Sequence, residues 1–182
     1  MVDQEVKILV LRFRDLVTQP GATIASHQEK IQEHGFVWWG WWNKAGETIP
    51  DDVFRELHKQ ATSTEGLSLF LLDSGRHELY TAIATEIYWS PVRARIPSRD
   101  KEATPSYYSH QEYLAWFRLT QISSVPDASV LGRFSYVEID QFFEAGTSRY
   151  MPFSGKRVYS IEEMIQQNRT IWFLREAGPQ DP

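Results

Sequence analysis

The chain opens with a mostly apolar run that predicts a buried strand. Residues 5–13, EVKILVLRF, are rich in β-branched and aliphatic side chains, and a run without strict alternation is typical of a strand covered on both faces. We therefore expect a central strand. In residues 23–34, Ile24, His27 and Ile31 recur at helical spacing, and Gly35 suits the position just past a helix end. His27 should thus lie on the apolar face of this helix.

The next segments predict a strand, a second helix and a hairpin. Residues 36–42, FVWWGWW, favour a strand that is interrupted at Gly40, where another group can approach the backbone closely. Pro50 and the two acidic residues after it are favoured at a helix start, and this helix should run to about Ala61. The turn at 73–75 joins strand 67–72 to strand 78–89. Alternation in the second arm puts Leu79 and Ile83 on one face, with Ile87 and Trp89 further along it.

The second half of the chain is less regular. Residues 90–111 contain three prolines and show no period, so we predict a long loop, a kind of segment that is often functional or mobile. Strands are predicted at 112–122, 130–137 and 170–174. Residues 136–144 fit a strand or a helix, and 145–157 form a polar and aromatic loop. Ser160 and Glu163 make a capping box that opens a helix to about residue 168.

This order of elements predicts an α+β fold. About seven strands with three scattered helices do not alternate regularly, which favours a mixed, curled sheet or a small pseudo-barrel. Residues 1–174 should form a single domain. The last eight residues, REAGPQDP, have the composition of a linker, and we expect them to lead to a further effector domain beyond Pro182.

Composition and charge exclude several classes of protein. The 182 residues carry a formal net charge of -5 and contain no cysteine, which excludes disulfides and thiolate metal sites. No apolar run approaches the roughly 20 residues that cross a bilayer, and no secretory signal pattern opens the chain, so we expect a cytoplasmic protein without membrane contact. Phosphate-binding, dinucleotide-binding, zinc-protease and serine-hydrolase motifs are absent from the sequence. We therefore predict no cofactor, no metal and no catalytic residue.

Aromatic residues are the unusual feature of the composition. They make up 14% of the chain, and four of the seven tryptophans fall within residues 38–42. Strand alternation puts Trp39 and Trp41 on one face, and Trp38 and Trp42 on the other with Gly40. Either all four tryptophans pack into the core, or one pair opposite Gly40 walls a slot for a flat ligand. Stacking on such rings contributes about 1–3 kcal/mol per base.

Two basic segments stand out in an otherwise acidic chain. Residues 91–101 contain four basic residues and one acid, and residues 149–157 contain three basic residues and none. Both have aromatic neighbours, a combination typical of nucleic-acid sites, where cations meet phosphates and rings meet bases. The alternative is that these charges only keep mobile loops solvated. The basic residues are Arg93, Arg95, Arg99, Lys101, Arg149, Lys156 and Arg157, and the aromatic ones are Trp89, Tyr107, Tyr108, Tyr150 and Phe153.

The sequence resembles a known superfamily over about residues 23–90. A helix ending in glycine, the strand GFVWWGWW, a second helix and the hairpin LSLFLLDSGRHELYTAIATEI look like the PUA-like superfamily, in particular its EVE and ASCH branches. The resemblance implies a pseudo-barrel that binds RNA, modified DNA bases or nucleotides in a pocket walled by the tryptophans of residues 38–42. An ASCH-type hydrolase would need a lysine, a threonine and a glutamate to converge, for which Lys44, Thr81 and Glu86 are the candidates.

Our leading hypothesis is a binding module that recognises a nucleobase in nucleic acid or in a free nucleotide. The alternatives are a sensory module that binds a small ligand or a partner protein to regulate an attached effector, and a small amide or nucleoside hydrolase. The candidate ligand-binding residues are Trp38, Trp39, Trp41, Trp42, Lys44, Asp73, Ser74, Trp89, Tyr107 and Tyr108, and the candidate phosphate-binding residues are Arg93, Arg95, Lys156 and Arg157.

Overall fold

A computed structural model describes residues 7–16, 18–137 and 155–182. The ambiguous segment after Val137 and most of the second basic segment, with Arg149, Tyr150 and Phe153, lie outside these residues. Within them the chain has the predicted α+β fold, with strands β1 (Lys7–Phe13), β2 (Val37–Gly40), β3 (Leu67–Asp73), β4 (Glu78–Trp89), β5 (Ile96–Pro97), β6 (Glu112–Tyr113), β7 (Ala115–Ser124), β8 (Phe134–Tyr136) and β9 (Ile171–Glu176), helices α1 (Ala22–His34), α2 (Asp51–Ala61) and α3 (Ile161–Ile165), and a 3₁₀ helix at Ala128–Arg133.

Seven of the strands form one mixed sheet in the order β2-β7-β4-β3-β1-β9-β8, and β5 pairs with β6. Strand β1 runs parallel to β3 and antiparallel to β9. Its central position confirms the prediction from its apolar sequence, because both faces of such a strand are covered. Every other pairing in the sheet is antiparallel.

The sheet is curled but not closed into a barrel. Three strands separate β1 from β2, so a flat sheet with a spacing of about 4.8 Å would hold them about 19 Å apart. Yet the ring of Phe13 on β1 lies 5.1 Å from the ring of Trp39 on β2. The curvature thus brings β1 and β2 face to face without hydrogen-bonding them, and a gap remains between the two strands.

Apolar side chains fill both faces of the sheet. Leu9 and Leu11 of β1 join a large cluster with α1 and α2, whereas Val10 joins a second cluster that contains Met164 of α3. Aromatic residues form a third cluster around Trp116 of β7. Helix α1 ends at Gly35, whose φ of 80° is the left-handed conformation that the sequence predicted for a residue past a helix end.

Two predicted strand patterns need correction. A register shift in the pairing of β4 with β7 falls between Ala84 and Glu86, and a bulge of this kind moves the following side chains to the other face. Ala82 and Ala84 therefore share the large cluster with Ile87, while Leu79 packs in the second cluster. The strand predicted at 112–122 is divided at Leu114 into β6 and β7.

The other boundary corrections are local. The strand predicted at 130–137 begins as a 3₁₀ helix and becomes strand only at Phe134. The hydroxyl of Ser160 accepts a hydrogen bond from the Glu163 amide at 3.1 Å, which confirms the predicted cap, but α3 ends at Ile165 rather than near residue 168. None of the helices within the described residues is long and apolar enough to cross a membrane.

The last eight residues pack against the sheet. Arg175 and Glu176 are the end of β9, and the Arg175 guanidinium contacts both carboxylate oxygens of Asp181 at 2.7 Å. The hydroxyl of Ser135 on β8 donates to the same carboxylate at 2.7 Å. A segment with the composition of a linker is thus held beside β8 and β9. The effector domain beyond it stays a prediction.

Candidate functional site

The gap between β1 and β2 contains a cavity of about 220 Å³. It exists because the curled sheet brings these strands together while each keeps its hydrogen bonds to other neighbours. Helix α1 closes one side of the cavity and the segment 107–113 closes another. The lining residues are 11–14 and Leu16 at the end of β1, 39–42 at the end of β2, Thr23 and His27 of α1, and Tyr107, Tyr108, Gln111 and Tyr113.

Trp39 forms the inner wall. Alternation along β2, which continues into the following residue Trp41, turns Trp39 and Trp41 toward the large cluster, as the sequence predicted. The Trp39 ring packs edge-to-face on Phe13 and lies 4.4 Å from the His27 ring, centroid to centroid. Trp38 points to the opposite face and is buried in the third cluster. Both faces of this strand are therefore covered, and among these four tryptophans only Trp42, which follows the strand, is exposed.

His27 and Tyr108 form a fixed polar pair in the cavity wall. His27 is 1% exposed, its Nδ1 lies 2.7 Å from the carbonyl oxygen of Thr23, and its Nε2 contacts the Tyr108 hydroxyl. Burial lowers the pKa of His27 to about 4, so the ring is neutral near pH 7, with Nδ1–H donating to Thr23. The Tyr108 hydroxyl also lies 3.0 Å from the carbonyl oxygen of Trp38. The Tyr108 hydroxyl proton is thus shared between two acceptors, His27 Nε2 and the Trp38 carbonyl oxygen. These contacts hold segment 107–113 against α1 and β2.

Gly40 makes room for a protein ring. A Cβ atom there would lie 2.5 Å from Cδ2 and 2.7 Å from Cε2 of Tyr113. The close approach predicted at this glycine is present, but the approaching group is Tyr113 rather than a ligand. Tyr113 in turn lines the cavity.

Gly40→Ala should lower the free energy of unfolding by about 1–3 kcal/mol, because overpacking of a filled site forces side chains out of their rotamers. Chemical denaturation measures the loss. Gly132→Ala is the matched control, since a Cβ at Gly132 meets nothing within 4 Å. Equal stabilities of the two variants would contradict the close packing of Tyr113 on Gly40.

The mouth of the cavity is exposed, apolar and cationic. Leu16 and Trp42 are 57% and 58% exposed there. Arg12 donates through Nη1 to the carbonyl oxygens of Ile165 and Gln167, both at 2.9 Å, and burial followed by the nearby charge of Arg14 lowers its pKa. Among the described lining residues there is no aspartate or glutamate. The mouth therefore favours an anionic group.

Arg95 adds a further positive charge beside this mouth. Its guanidinium lies 3.2 Å from Oδ1 of Asn43, the residue after Trp42. Burial raises the pKa of the cavity residue Tyr113, and the Arg95 charge opposes that rise. The charge of Arg95 is thus close enough to the cavity to influence the pKa of a residue in its wall.

Comparison with known proteins identifies the family of this chain. A family model described as Pua-like matches residues 9–182. The chain belongs to the Pua-like family. The match confirms the superfamily inferred from residues 23–90 and extends it over most of the chain, while the EVE or ASCH branch stays a prediction. No curated protein and no solved structure gives a significant match.

Five of the ten predicted ligand-binding residues of this Pua-like domain line the cavity, namely Trp39, Trp41, Trp42, Tyr107 and Tyr108. Asp73 lies instead at the end of β3, and Ser74 lies in the turn that follows it. Asp73 Oδ1 accepts from the amides of Gly75 and Arg76, at 2.9 and 3.1 Å. Ser74 donates through its amide to the carbonyl oxygen of Phe13 at 3.0 Å. These contacts hold the turn.

Trp89 and Lys44 lie outside the cavity lining. The indole nitrogen of Trp89 donates to Asp51 at 2.8 Å, and its ring stacks on Phe54 at 5.5 Å, so Trp89 fastens α2 to the sheet. The ammonium group of Lys44 is exposed two residues after Trp42 and donates to Oδ1 of Asn168 at 2.9 Å.

The predicted phosphate-binding residues are dispersed over the Pua-like domain. Arg157 donates to the carbonyl oxygens of Gly132 and Gly178, both at 3.2 Å, and neighbours the exposed Lys156 beside β8, at the sheet edge opposite β2. Arg93 has a φ of 55° and lines a small cleft beside α2. Of the four, Arg95 is the one that the structure places near the cavity.

The three candidates for a hydrolase do not meet. Thr81 lies on β4 and donates to the carbonyl oxygen of Ser123 at 3.4 Å, and Glu86 on the same strand pairs with Arg99. Lys44 lies beyond β2, paired with Asn168. No group of three histidine, aspartate or glutamate side chains within the described residues could hold a metal ion.

Sequence reasoning missed several cavity residues. Arg12 and Arg14 interrupt an apolar strand at its end, and this placement was a usable signal for a charged mouth. Tyr113 and Gln111 gave no comparable signal, because their approach to the cavity depends on the division between β6 and β7. His27 was expected only on an apolar helix face, and the structure shows that this face forms a cavity wall.

Proposed function

We propose that this Pua-like domain recognises a single nucleobase, carried by nucleic acid or by a nucleotide, in the cavity between β1 and β2. The observation that carries the proposal is a cavity with aromatic walls and a cationic mouth. Its volume of about 220 Å³ is below the roughly 300–1,000 Å³ of pockets for drug-sized ligands, which fits one planar ring system. Membership of a family whose members often bind RNA or nucleobases supports the same ligand class.

The walls offer both stacking and polar contacts to a base. Trp39 and Tyr107 supply ring faces and edges, and stacking of this kind stabilises a bound base by about 1–3 kcal/mol. Burial raises the pKa of Tyr107 to about 12, so its hydroxyl keeps its proton near pH 7 and can donate to a base acceptor. The side chain of Gln111 accepts the Tyr113 hydroxyl through Oε1 at 3.0 Å, and its amide nitrogen is a further donor for a base edge.

The cations at the mouth fit the phosphate of the same ligand. Arg14 is exposed beside Trp42 and Leu16, and a guanidinium forms strong, charge-assisted hydrogen bonds to phosphate oxygens. The half-buried Arg12 donates to two carbonyl groups and contributes its charge to the inner part of the mouth.

Calorimetric titration with nucleosides and nucleoside 5′-monophosphates tests the proposal. At least one base should bind with 1:1 stoichiometry, and Tyr107→Ala should weaken that binding about tenfold, the loss of a stacking contact of about 1.4 kcal/mol. Arg14→Gln should weaken the monophosphate and leave the nucleoside unchanged.

Tyr159→Ala is the control variant, because Tyr159 is 66% exposed and does not line the cavity. It should leave every affinity unchanged. If no nucleoside or nucleotide binds the wild-type domain, or if Tyr107→Ala and Tyr159→Ala bind equally well, the cavity is not a nucleobase site.

A further inference from the structure

Trp42 is a large aromatic side chain that the fold holds in solvent. It is 58% exposed at the mouth of the cavity, whereas Trp41, the residue before it, is buried. Exposed apolar residues that occur singly are common on protein surfaces. The exposure of Trp42 therefore indicates a binding role only in combination with two further observations, the hydrogen bonds that hold its backbone and the charges around it.

The turn that follows Trp42 is rigid. The side-chain Nδ2 of Asn43 donates to the carbonyl oxygens of Lys44 and Glu47, both at 3.0 Å. The amide of Lys44 donates to the Glu47 carboxylate at 3.1 Å, and that buried carboxylate also accepts the Thr170 amide at 2.8 Å. Trp42 thus lies between an anchored turn and strand β2, which fixes its backbone. The backbone at Trp42 therefore does not have to be ordered when a partner stacks on the ring, which lowers the entropic cost of binding.

Two cations lie on the Trp42 side of the mouth. The Arg95 guanidinium contacts Asn43 at 3.2 Å, and Lys44 follows in the same turn, where its ammonium contacts Asn168 at 2.9 Å. The carboxylate in this turn, that of Glu47, is buried and accepts the Lys44 and Thr170 amides. Arg12 and Arg14 are on the β1 side. A ligand that passes over Trp42 therefore meets positive charge on both sides of the cavity.

From this arrangement we infer that the natural ligand is a single-stranded nucleic acid of at least two nucleotides. One base enters the cavity, the neighbouring base stacks on Trp42, and the phosphates around the neighbouring nucleotide meet Lys44 and Arg95. Aromatic platforms beside a cationic groove are how single strands are bound without strict sequence preference. This inference rests on the proposed nucleobase site and adds the class of ligand, a strand rather than a free nucleotide.

The test compares trinucleotides with the mononucleotide that binds the cavity. Calorimetry with matched DNA and RNA trinucleotides should show affinities about five- to 150-fold above that of the mononucleotide, the stacking free energy of about 1–3 kcal/mol converted at 1.4 kcal/mol per tenfold. Trp42→Ala should reduce this ratio at least fivefold, the lower end of the stacking contribution, while the phosphate contacts of Lys44 and Arg95 keep it above one. Tyr107→Ala should weaken both ligands and preserve the ratio. A preference for DNA or for RNA identifies the natural strand and supports the inference in either case.

The cations are tested by the salt dependence of trinucleotide binding. Lys44→Gln should reduce the slope of log K against log salt by about 0.7, the value for one phosphate contact on a single strand. Lys59→Gln on α2 is the control, because Lys59 is exposed outside the cavity, and it should leave the slope unchanged.

The inference is overturned if trinucleotides bind no more tightly than the mononucleotide, if Trp42→Ala leaves the affinity ratio unchanged, or if a duplex binds more tightly than either of its strands. In the first two cases the proposed function still holds if Tyr107→Ala weakens binding of the mononucleotide. Failure of every ligand to bind overturns the proposed function together with the inference.

Discussion

Replacing Trp41 with alanine should lower the free energy of unfolding by about 3–5 kcal/mol, whereas Trp42→Ala should change it by less than about 0.5 kcal/mol. The two residues are neighbours in the chain and differ in burial. Trp41 is 1% exposed, packs against Phe54 and donates through its indole nitrogen to Thr170 at 2.9 Å. Removing it leaves a cavity in the core, which accounts for most of the loss. The Thr170 hydroxyl also loses one hydrogen bond, although it still donates to the Glu47 carboxylate.

Urea denaturation of the two variants measures this difference. Trp41→Phe is a useful third variant, because it keeps most of the apolar volume and should recover part of the loss. Similar stabilities for Trp41→Ala and Trp42→Ala would show that the burial of these residues differs from that described above, and would remove the case for Trp42 as an exposed binding residue.

The stability of the domain should fall by about 3 kcal/mol through His27 alone as the pH decreases from 6.5 to 4. Burial lowers the pKa of His27 to about 4, below its value of about 6.5 in an unfolded chain. The unfolded state therefore binds more protons than the folded state in this range, so protonation favours unfolding. The contribution is complete above pH 6.5, is lost between pH 6.5 and 4, and changes no further below pH 4.

The difference between wild type and His27→Gln isolates this contribution from the carboxylates that titrate in the same range. The free-energy gap between the two proteins should narrow by about 3 kcal/mol as the pH falls to 4. His34→Gln on the same helix, at an exposed position, is the control for removing a histidine, and its effect should be much smaller than that of His27→Gln. A constant gap for His27→Gln would mean that His27 is not buried in its neutral form.

Much of the fold could be predicted because local signals and tertiary structure agree. The apolar run of β1, the glycine after α1, the β3–β4 hairpin and the Ser160 cap each depend on near neighbours in the chain. The bulge in β4 could not be predicted, because it arises where β4 and β7 pair across the sheet. The division at Leu114 could not be predicted either, because there the chain passes from pairing with β5 to pairing with β4. Local periodicity carries no information about such a shift.

The site was predictable in its chemistry but only partly in its location. Trp39, Trp41 and Trp42 line one cavity together with the tyrosines at 107 and 108, whereas Trp38 packs on the opposite face of β2. The contribution of Arg12 depends on the curvature that brings β1 opposite β2, and this curvature is a property of the whole sheet. Arg157 was a plausible phosphate ligand by charge, but its donors serve two backbone carbonyl groups. Composition could not separate these two roles for arginine.

The measurement that tests the nucleobase site most directly follows the seven indole N–H signals in a proton–nitrogen NMR spectrum during titration with the tightest-binding nucleoside 5′-monophosphate. Single Trp→Phe variants assign the signals. We predict saturable shifts for Trp39 and Trp42, which line the cavity, and none for Trp89 and Trp172, which do not. Saturable shifts at Trp89 or Trp172 with unchanged Trp39 and Trp42 would place the ligand elsewhere and contradict the site between β1 and β2.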